Sequence, residues 1–133
     1  MVKPDGVARG LENEIFSRVE KAGLKLEARK NISLTAEQAA ELYKPHLGKK
    51  FYPGLVKFIT SGPGIACRVA GENAIARLRE LMGDTDPLAA EHGTIRGDLK
   101  EAAVINEDGI IKNLVHGSDS PGSAERELAI FFQ

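Results

Sequence analysis

An α+β domain, with helices packed on an antiparallel sheet, is the architecture that this chain of 133 residues indicates. Amphipathic and alternating segments follow one another in the order strand, helix, strand, helices, strand, helix, loop, helix, strand. Hydrophobic residues make up 42% of the chain and charged residues 28%, which is typical of a globular protein and not of a disordered one. Because no repeat or linker interrupts this order, we expect a single domain over residues 1–133.

The first part of the chain predicts a strand, a helix and a second strand. Residues 1–4 are expected to end a strand, and residues 5–10 to form a loop. Apolar residues recur at helical spacing over 11–22, which predicts a helix that ends at Gly23. Residues 24–34 alternate between apolar and charged side chains, as a half-buried strand does.

The middle of the chain predicts two helices and a buried strand. Thr35 and Gln38 have the spacing of a capping box and are expected to open a helix. Pro53 fits the first turn of a further short helix. The small and apolar residues of 64–71 then predict a short buried strand.

The last part of the chain is less regular. An amphipathic helix is expected over 72–83, and the loss of periodicity over 84–108 predicts a long irregular loop. A small hairpin is expected around Asp108 and Gly109. Residues 120–132 read as a short helix followed by an apolar strand. A split βαβ, or ferredoxin-like, arrangement satisfies the whole order.

Charge and cysteine content exclude several classes of protein. The formal net charge of −1 argues against strong nonspecific attraction to nucleic acid or to a membrane. Cys67 is the single cysteine, so no intrachain disulfide is possible, which suits a reducing cytoplasm. The chain has neither the spacing of a zinc site nor an apolar run that could span a bilayer.

Phosphate binding, if present, must rely on side chains, because neither a P-loop nor a Gly-x-Gly-x-x-Gly motif occurs. Lys3, Arg79, Thr85 and Arg96 are suitable types, since guanidinium groups match phosphate geometry and a threonine donates a hydroxyl. Taken singly, each is also an ordinary surface residue. Their significance depends on whether the fold brings them together.

His116 lies where an apolar run meets a polar turn, within residues 110–120. An imidazole acts as a nucleophile when one nitrogen is free and a partner holds the other. Gly117 removes a side chain that would block approach, and Ser118 can donate a hydrogen bond. Glu127, in the following helix, is placed to reach back to the ring. From the residues alone, a structural histidine remains the alternative.

Five segments of the chain resemble, in order, the signatures of nucleoside diphosphate kinases. These are KPDGVARG (3–10), FYPGLVKFITSGP (51–63), RLRELMGDTDP (77–87), GTIRGD (93–98) and NLVHGSDS (113–120). The resemblance extends over nearly the whole chain. It implies a ping-pong phosphotransferase, in which His116 takes the γ-phosphate of a nucleoside triphosphate and passes it to a nucleoside diphosphate.

The resemblance also implies roles for individual residues. Lys3 would neutralise charge on the transferred phosphoryl group, and Tyr43 would form a hydrogen bond close to the γ-phosphate and Lys3. Glu127 would orient His116 through the nitrogen that does not attack, with Ser118 assisting nearby.

The rest of the implied site binds the nucleotide. Arg79, Thr85 and Arg96 match phosphate-binding positions, and Asn113 matches one that contacts the ribose and the transferred phosphate. Phe51 matches the aromatic residue on which the base stacks, and stacking tolerates every base because each has a π-face. Broad nucleoside specificity is therefore expected.

Cofactor and partners follow from the same resemblance. Mg²⁺ is expected on the nucleotide phosphates with no firm protein ligand. Asp119 could act on the ion through water, but we expect it instead to cap a helix. We expect a cytoplasmic homo-oligomer, either a hexamer or a tetramer of dimers, with no membrane and no specific nucleic acid partner.

Two departures from the family pattern stand out. Most of the first strand is missing, so either Met1 is not the biological start or the chain depends on its neighbours for stability. The segment at about 98–112 is longer than usual, and we expect an exposed hairpin that leaves the pocket intact. His46 and His92 are expected to be surface residues. Two further functions stay open: a non-catalytic module that retains the fold, and a phosphohistidine donor to another protein.

Overall fold

The computed structural model describes residues 1–132. Two strands, β1 (Lys25–Ile32) and β2 (Gly64–Ala70), lie among the helices. The helices are α1 (Pro4–Ala8), α2 (Glu12–Lys21), α3 (Ala36–Leu42), α4 (Tyr52–Ile59), α5 (Ala74–Met82), α6 (Ile95–Leu99) and α7 (Pro121–Phe131), with a 3-10 turn at Lys44–His46. Both strands and helices α2, α3, α4 and α5 lie where the sequence predicted them.

The antiparallel sheet brings the start of the chain beside His116. Strands β1 and β2 pair from Lys25 opposite Ala70 to Ile32 opposite Gly64. Val2 forms antiparallel bridges to Ile65 on one side and to Val115 on the other. The expected strand pairing is confirmed at Val2, whereas Pro4 already belongs to α1. The pairing places Lys3 next to the segment that carries His116.

The core consists of two clusters that meet at β2. One contains residues from α2, α5, α6 and the sheet, namely Val2, Ile15, Phe16, Ile65, Met82, Ile95, Leu114 and Val115. The other contains residues from α3, α4 and α7, namely Leu34, Ala39, Leu42, Tyr43, Ile59, Ala66 and Phe131. Successive residues of a strand point to opposite faces. Ile65 and Ala66 accordingly enter different clusters, and helices contact both faces of β2.

Two short helices replace segments that we expected to be irregular. Residues 4–8 form α1 and not a loop, because Pro4 supplies a preset backbone angle at the first helical position. Residues 95–99 form α6 inside the expected long loop, where the Thr94 side chain accepts a hydrogen bond from the Gly97 N–H and caps the helix. Each helix has five residues, too few to show a helical period.

The expected final strand is wrong. Helix α7 continues to Phe131, so the apolar residues near its end belong to the helix. An apolar run of five residues, here 128–132, does not distinguish a strand from a buried helical turn. The cap of α7 is Ser120, whose side chain accepts from the Ser123 N–H, and the expectation for Asp119 was therefore wrong as well.

The hairpin near Asp108 forms, but it packs against α4 and is not fully exposed as we expected. Ile105 and Ile111 make an antiparallel bridge across it. Ile110 is only 4% exposed and lies against Gly54 of α4. Asp108 adds an ion pair to Lys57, with 3.0 Å between the charged atoms. The hairpin is thus anchored on α4, close to the start of that helix.

No helix within residues 1–132 is both long enough and apolar enough to cross a lipid bilayer.

Candidate active site

His116 is fixed by its backbone and by its ring. Its N–H donates to the Met1 carbonyl at 2.9 Å, and its carbonyl accepts from the Met1 amino group at 2.8 Å. The ring is half-buried, and its Nε2 contacts Oε1 of Glu127. The Ser118 hydroxyl donates to the same carboxylate oxygen at 3.3 Å. Glu127 thus holds Nε2, and Nδ1 is the nitrogen that remains for reaction with a ligand.

The environment of this pair favours a neutral imidazole. Burial lowers the pKa of His116, the contact with Glu127 acts in the opposite direction, and the amino terminus of Met1 and Lys3 reinforce the lowering. Burial alone would raise the pKa of Glu127, but the contacts with His116 and Ser118 outweigh it and leave the pKa below its ordinary value. A neutral ring beside a carboxylate is the state that a nucleophilic imidazole requires.

A strained turn immediately precedes His116. The Val115 N–H donates to the Asn113 carbonyl at 2.7 Å, and Leu114 between them has a φ of 71°. These values describe a γ-turn of the rare form with positive φ. The Leu114 N–H donates to Oδ2 of Asp5 at 2.9 Å, and its carbonyl accepts from the Lys3 N–H at 2.8 Å. The N–H of Leu114 is therefore held by Asp5 in α1, and its carbonyl by Lys3, which immediately precedes α1.

Sequence reasoning did not identify Asp5 as part of the site. Its side chain is 8% exposed, and one carboxylate oxygen, Oδ1, has no hydrogen-bond partner among residues 1–132. A buried carboxylate that accepts a backbone N–H leaves no distinctive spacing in a sequence. Its place in the KPDG segment was the available signal.

Lys3 and Asn113 form the floor of the site. The Lys3 ammonium donates to Oδ1 of Asn113 at 2.9 Å, and Nδ2 of Asn113 donates to the Thr85 carbonyl at 3.0 Å. Burial lowers the pKa of Lys3 to about 8, with Asp5 opposing the change and Arg96 adding to it. Thr85 itself is exposed. Its carbonyl anchors the side chain of Asn113.

Arg96 binds backbone carbonyls with all three of its guanidinium nitrogens. Nε donates to Asn113 at 3.1 Å, one terminal nitrogen to Gly83 at 3.0 Å and the other to Val115 at 2.8 Å. The residue is 6% exposed. Burial lowers its pKa to about 10, and the nearby charge of Arg79 contributes to the lowering. Arg96 thus both shapes the γ-turn and places positive charge beside it.

Arg79 is exposed and donates to the carbonyl of Gly117, two residues after the γ-turn, at 3.2 Å. Besides the approach to the ring that we expect it to allow, Gly117 lies close to the end of the Met82 side chain. A Cβ added there would lie 2.8 Å from the sulfur of Met82. The glycine therefore lets residues 116–118 pass close to α5, which carries Arg79.

Tyr43 connects the histidine to the rim of the site. Its ring is 6.4 Å from the His116 ring and edge-on to it. Burial raises the pKa of Tyr43 well above its ordinary value, helped by the carboxylates of Asp5 and Glu127. Phe51 lies further out and is 45% exposed, with the His46 ring between it and Tyr43. His46 is therefore half-buried among rings, whereas His92 is exposed as expected.

The structure brings most of the predicted site residues together. Contacts link Lys3, Tyr43, Arg79, Thr85, Arg96, Asn113, Ser118 and Glu127 to His116 or to its turn. Phe51 stands apart at the rim. Within residues 1–132, no three His, Cys, Asp or Glu side chains are grouped so as to hold a metal ion.

Comparison with known proteins gives a consistent result. The family model for nucleoside diphosphate kinase matches residues 1–133. The nucleoside diphosphate kinase of Heliobacterium modesticaldum is 52% identical over 133 residues, which are 100% of this chain and 85% of that protein. That of Listeria monocytogenes serotype 4b (strain CLIP80459) is 50% identical over 132 residues, which are 99% of this chain and 85% of that protein.

Solved structures agree with the sequence comparison. A halophilic nucleoside diphosphate kinase from Halobacterium salinarum, solved in complex with CDP, superposes with a TM-score of 0.89 at 47% identity, covering 99% of this chain and 84% of that one. A nucleoside diphosphate kinase family protein from Babesia bovis gives a TM-score of 0.86 at 42% identity, with the same coverage. These similarities support the α+β, ferredoxin-like assignment. The chain belongs to the nucleoside diphosphate kinase family.

Proposed function

We propose that this chain is a nucleoside diphosphate kinase that transfers the γ-phosphate of a nucleoside triphosphate to a nucleoside diphosphate through a phosphohistidine at His116. One observation carries the proposal. Three cationic side chains, Lys3, Arg79 and Arg96, converge on the turn around His116, whose Nε2 is held by Glu127. A basic pocket around a neutral nucleophile fits phosphoryl transfer, which depends mainly on positioning and on charge stabilisation.

The transfer has two matching halves. Nδ1 of neutral His116 attacks the γ-phosphorus, the bond from that phosphorus to the bridging oxygen breaks, and the nucleoside diphosphate leaves with the electron pair. The phosphorylated imidazole carries positive charge, which the Glu127 carboxylate stabilises through Nε2–H. A second diphosphate then enters the same pocket, and its terminal oxygen takes the phosphoryl group back from Nδ1.

The cationic residues act on the charge that spreads over the phosphoryl oxygens. Lys3 is buried 2.9 Å from Asn113 and supplies a charge whose position is fixed. Arg79, the more exposed cation, supplies a guanidinium beside Gly117. Tyr43 remains a phenol at neutral pH, because its raised pKa keeps its proton available for donation.

The nucleoside end of the ligand is assigned to the rim. Phe51 offers an exposed ring for stacking of the base, and Asn113, which is bonded to Lys3 and to the Thr85 carbonyl, is assigned to the ribose and the transferred phosphate. Stacking without edge hydrogen bonds predicts broad base specificity. The halobacterial relative was solved with CDP, which supports a nucleotide as the ligand here.

The donor set fits a magnesium ion only through the nucleotide. No described cluster of carboxylates, histidines and cysteines suits a resident ion, so Mg²⁺ would be held by the phosphates themselves. When bound, it supplies neutralisation of phosphate charge. Asp119 is exposed near Arg79 and is the carboxylate that we assign to an indirect, water-mediated contact.

A label-and-chase experiment tests the proposed function. The protein is incubated with ATP labelled on the γ-phosphate, and the labelled protein is then chased with GDP. We expect acid-labile label on the protein that GDP removes as labelled GTP, because one pocket serves donor and acceptor in turn. Label that leaves only when a second protein is added would indicate the protein-directed donor. Absence of label would indicate the non-catalytic module.

Matched histidine variants locate the label. His116→Ala is expected to abolish labelling without unfolding the chain, as judged by circular dichroism, since its ring is only partly buried. His92→Ala is the control, because that side chain is 99% exposed and pairs with Asp98, away from the site. Retained phosphate transfer in His116→Ala would overturn the mechanism.

We also propose a cytoplasmic homo-oligomer, whether hexamer or tetramer. Exposed apolar side chains at Leu47, Leu88 and Ile105 are the observation in favour of self-association. A single cysteine, Cys67, fits a reducing compartment.

A further inference from the structure

The segment between α3 and α4 is a continuous series of tight turns. The His46 N–H donates to the Tyr43 carbonyl at 2.8 Å, the Lys49 N–H to the His46 carbonyl at 3.0 Å, and the Tyr52 N–H to the Lys49 carbonyl at 3.0 Å. Each bond spans three residues, so the backbone from the end of α3 to the start of α4 has little freedom. His46 occupies the middle of this series.

The side chain of His46 fills the gap between two rings of the site. Its ring centroid is 6.0 Å from that of Tyr43 and 5.6 Å from that of Phe51, with tilted planes in both pairs. Tyr43 in turn lies 6.4 Å from His116. Both distances from His46 lie within the range of favourable aromatic pairs. A row of four rings therefore runs from the proposed nucleophile to the exposed ring of Phe51.

Lys49 fixes the outer end of this row. Its ammonium is 3.3 Å from Nδ1 of His46 and 5.7 Å from the centroid of the Phe51 ring. An ammonium can only donate, so Nδ1 of His46 is the acceptor in this contact. The same lysine gives a cation–π contact to Phe51.

We propose that His46 is a positioning residue for the nucleoside, which holds Phe51 at a set distance and tilt from Tyr43 and His116. The inference rests on the proposed function, since it takes Phe51 as the surface on which the base stacks. When the ring of Phe51 is fixed, a nucleotide stacked on it always places its phosphates at the same position. When the ring is mobile, only a fraction of bound nucleotides place them there. His46 thus acts on nucleotide binding and not on the transfer step.

Steady-state kinetics of three variants test the role of the ring. His46→Ala is expected to raise KM for nucleoside di- and triphosphates by about fivefold, as the loss of one or two aromatic pairs implies, with kcat within about twofold of the parent. His46→Phe keeps the ring and is expected to restore KM. His46→Asn keeps an acceptor near Nδ1 without a ring and is expected to behave like His46→Ala. His92→Ala serves as the exposed control.

Two further measurements separate positioning from general damage. Phosphoramidate has no base, and its phosphoryl group passes to the imidazole with release of ammonia. His46→Ala is expected to leave labelling of His116 by phosphoramidate unchanged.

The double variant tests whether His46 acts through Phe51. When Phe51 is already replaced by alanine, replacement of His46 by alanine is expected to raise KM by less than about twofold, because coupled residues do not act additively.

The outcomes distinguish the inference from the function on which it rests. Equal KM for His46→Ala and the parent, equal losses with nucleotides and phosphoramidate, or additive effects of His46 and Phe51 would each overturn the positioning role while the kinase activity stands. Failure of ATP to label the unaltered protein would overturn both.

Discussion

Lys3 shows how one buried side chain sets the conditions under which the site works. Its ammonium has little contact with water, which lowers its pKa to about 8. Lys3 therefore carries its charge at neutral pH and loses it at a pH that an ordinary lysine tolerates.

The pKa of Lys3 predicts an alkaline limit on kcat/KM. As pH rises above about 8, the free enzyme loses the charge on Lys3, and kcat/KM for a nucleotide is expected to fall. We expect kcat to hold to higher pH, because bound phosphate favours the charged ammonium. Initial rates over a pH series at several nucleotide concentrations measure both limits.

Asp5→Asn provides the matched variant. The carboxylate of Asp5 raises the pKa of Lys3, so its neutralisation is expected to move the alkaline limit to lower pH. The amide oxygen of an asparagine can still accept the Leu114 N–H, which preserves the turn. An alkaline limit at the same pH in both proteins would contradict the assignment to Lys3.

Arg96 predicts a stability effect that differs from that of an ordinary surface arginine. Arg96→Gln removes the side-chain donors to the Gly83 and Val115 carbonyls, whereas the Asn113 carbonyl keeps the Val115 N–H. We expect a loss of about 3 kcal/mol in the free energy of unfolding. Urea denaturation followed by circular dichroism measures it. Arg9→Gln is the control, because Arg9 is exposed and donates to a single carbonyl, that of Leu99. Equal losses in the two variants would show that the carbonyl contacts of Arg96 contribute little.

Helix α3 has both hydrogen bonds of a capping box. The Gln38 N–H donates to the Thr35 hydroxyl at 3.1 Å, and the Thr35 N–H donates to Oε1 of Gln38 at 3.0 Å. The sequence predicted this feature because it depends on two residues at a fixed spacing. The other end of α3 leads to Tyr43, so the cap also sets the start of a segment that reaches the site.

Loss of the cap is expected to cost stability and little activity. Thr35→Ala removes one acceptor, and we expect a decrease of about 1 kcal/mol in the free energy of unfolding. Thr35→Ser retains the acceptor and is expected to stay within a few tenths of the parent. The urea concentration at the midpoint of unfolding, measured for the parent and both variants, tests this expectation. Equal midpoints for the alanine and serine variants would contradict the capping role.

Local patterns predicted some helices and missed others for identifiable reasons. Helix α2 spans Glu12–Lys21 and has enough residues for its apolar period to be visible. Helices α1 and α6 are single turns set by Pro4 and Thr94, respectively, and no period exists at that length. The end of α7 was assigned to a strand because its burial depends on contacts with α3, which the sequence does not report.

The site could be predicted in part for a related reason. Residue types suggested Lys3, Arg79, Arg96 and His116 as candidates, but only the resemblance to a family joined them. Asp5 was missed because it acts on a backbone N–H, and His46 because its ring contacts depend on the path of the turns after α3. Residues whose side chains would contact the ligand are thus easier to predict from the sequence than residues that hold the site in place.

Self-association depends on the surface that separate segments form together in the folded chain. Leu47, Leu88 and Ile105 are between 58% and 69% exposed, and they come from three separate segments. Native mass spectrometry at several protein concentrations is expected to report a hexamer or a tetramer. A monomer that persists at high concentration would contradict the proposal and would leave these side chains as ordinary exposed residues.

The backbone pairing between Met1 and His116 joins residues 115 positions apart, and Lys3 meets Asn113 across 110 positions. During translation, the first of these residues leave the ribosome long before the second are synthesised. A nascent chain therefore cannot assemble the pocket until the segment around His116 has emerged and has paired with the residues around Met1, and phosphate on the histidine would report that this pairing has formed.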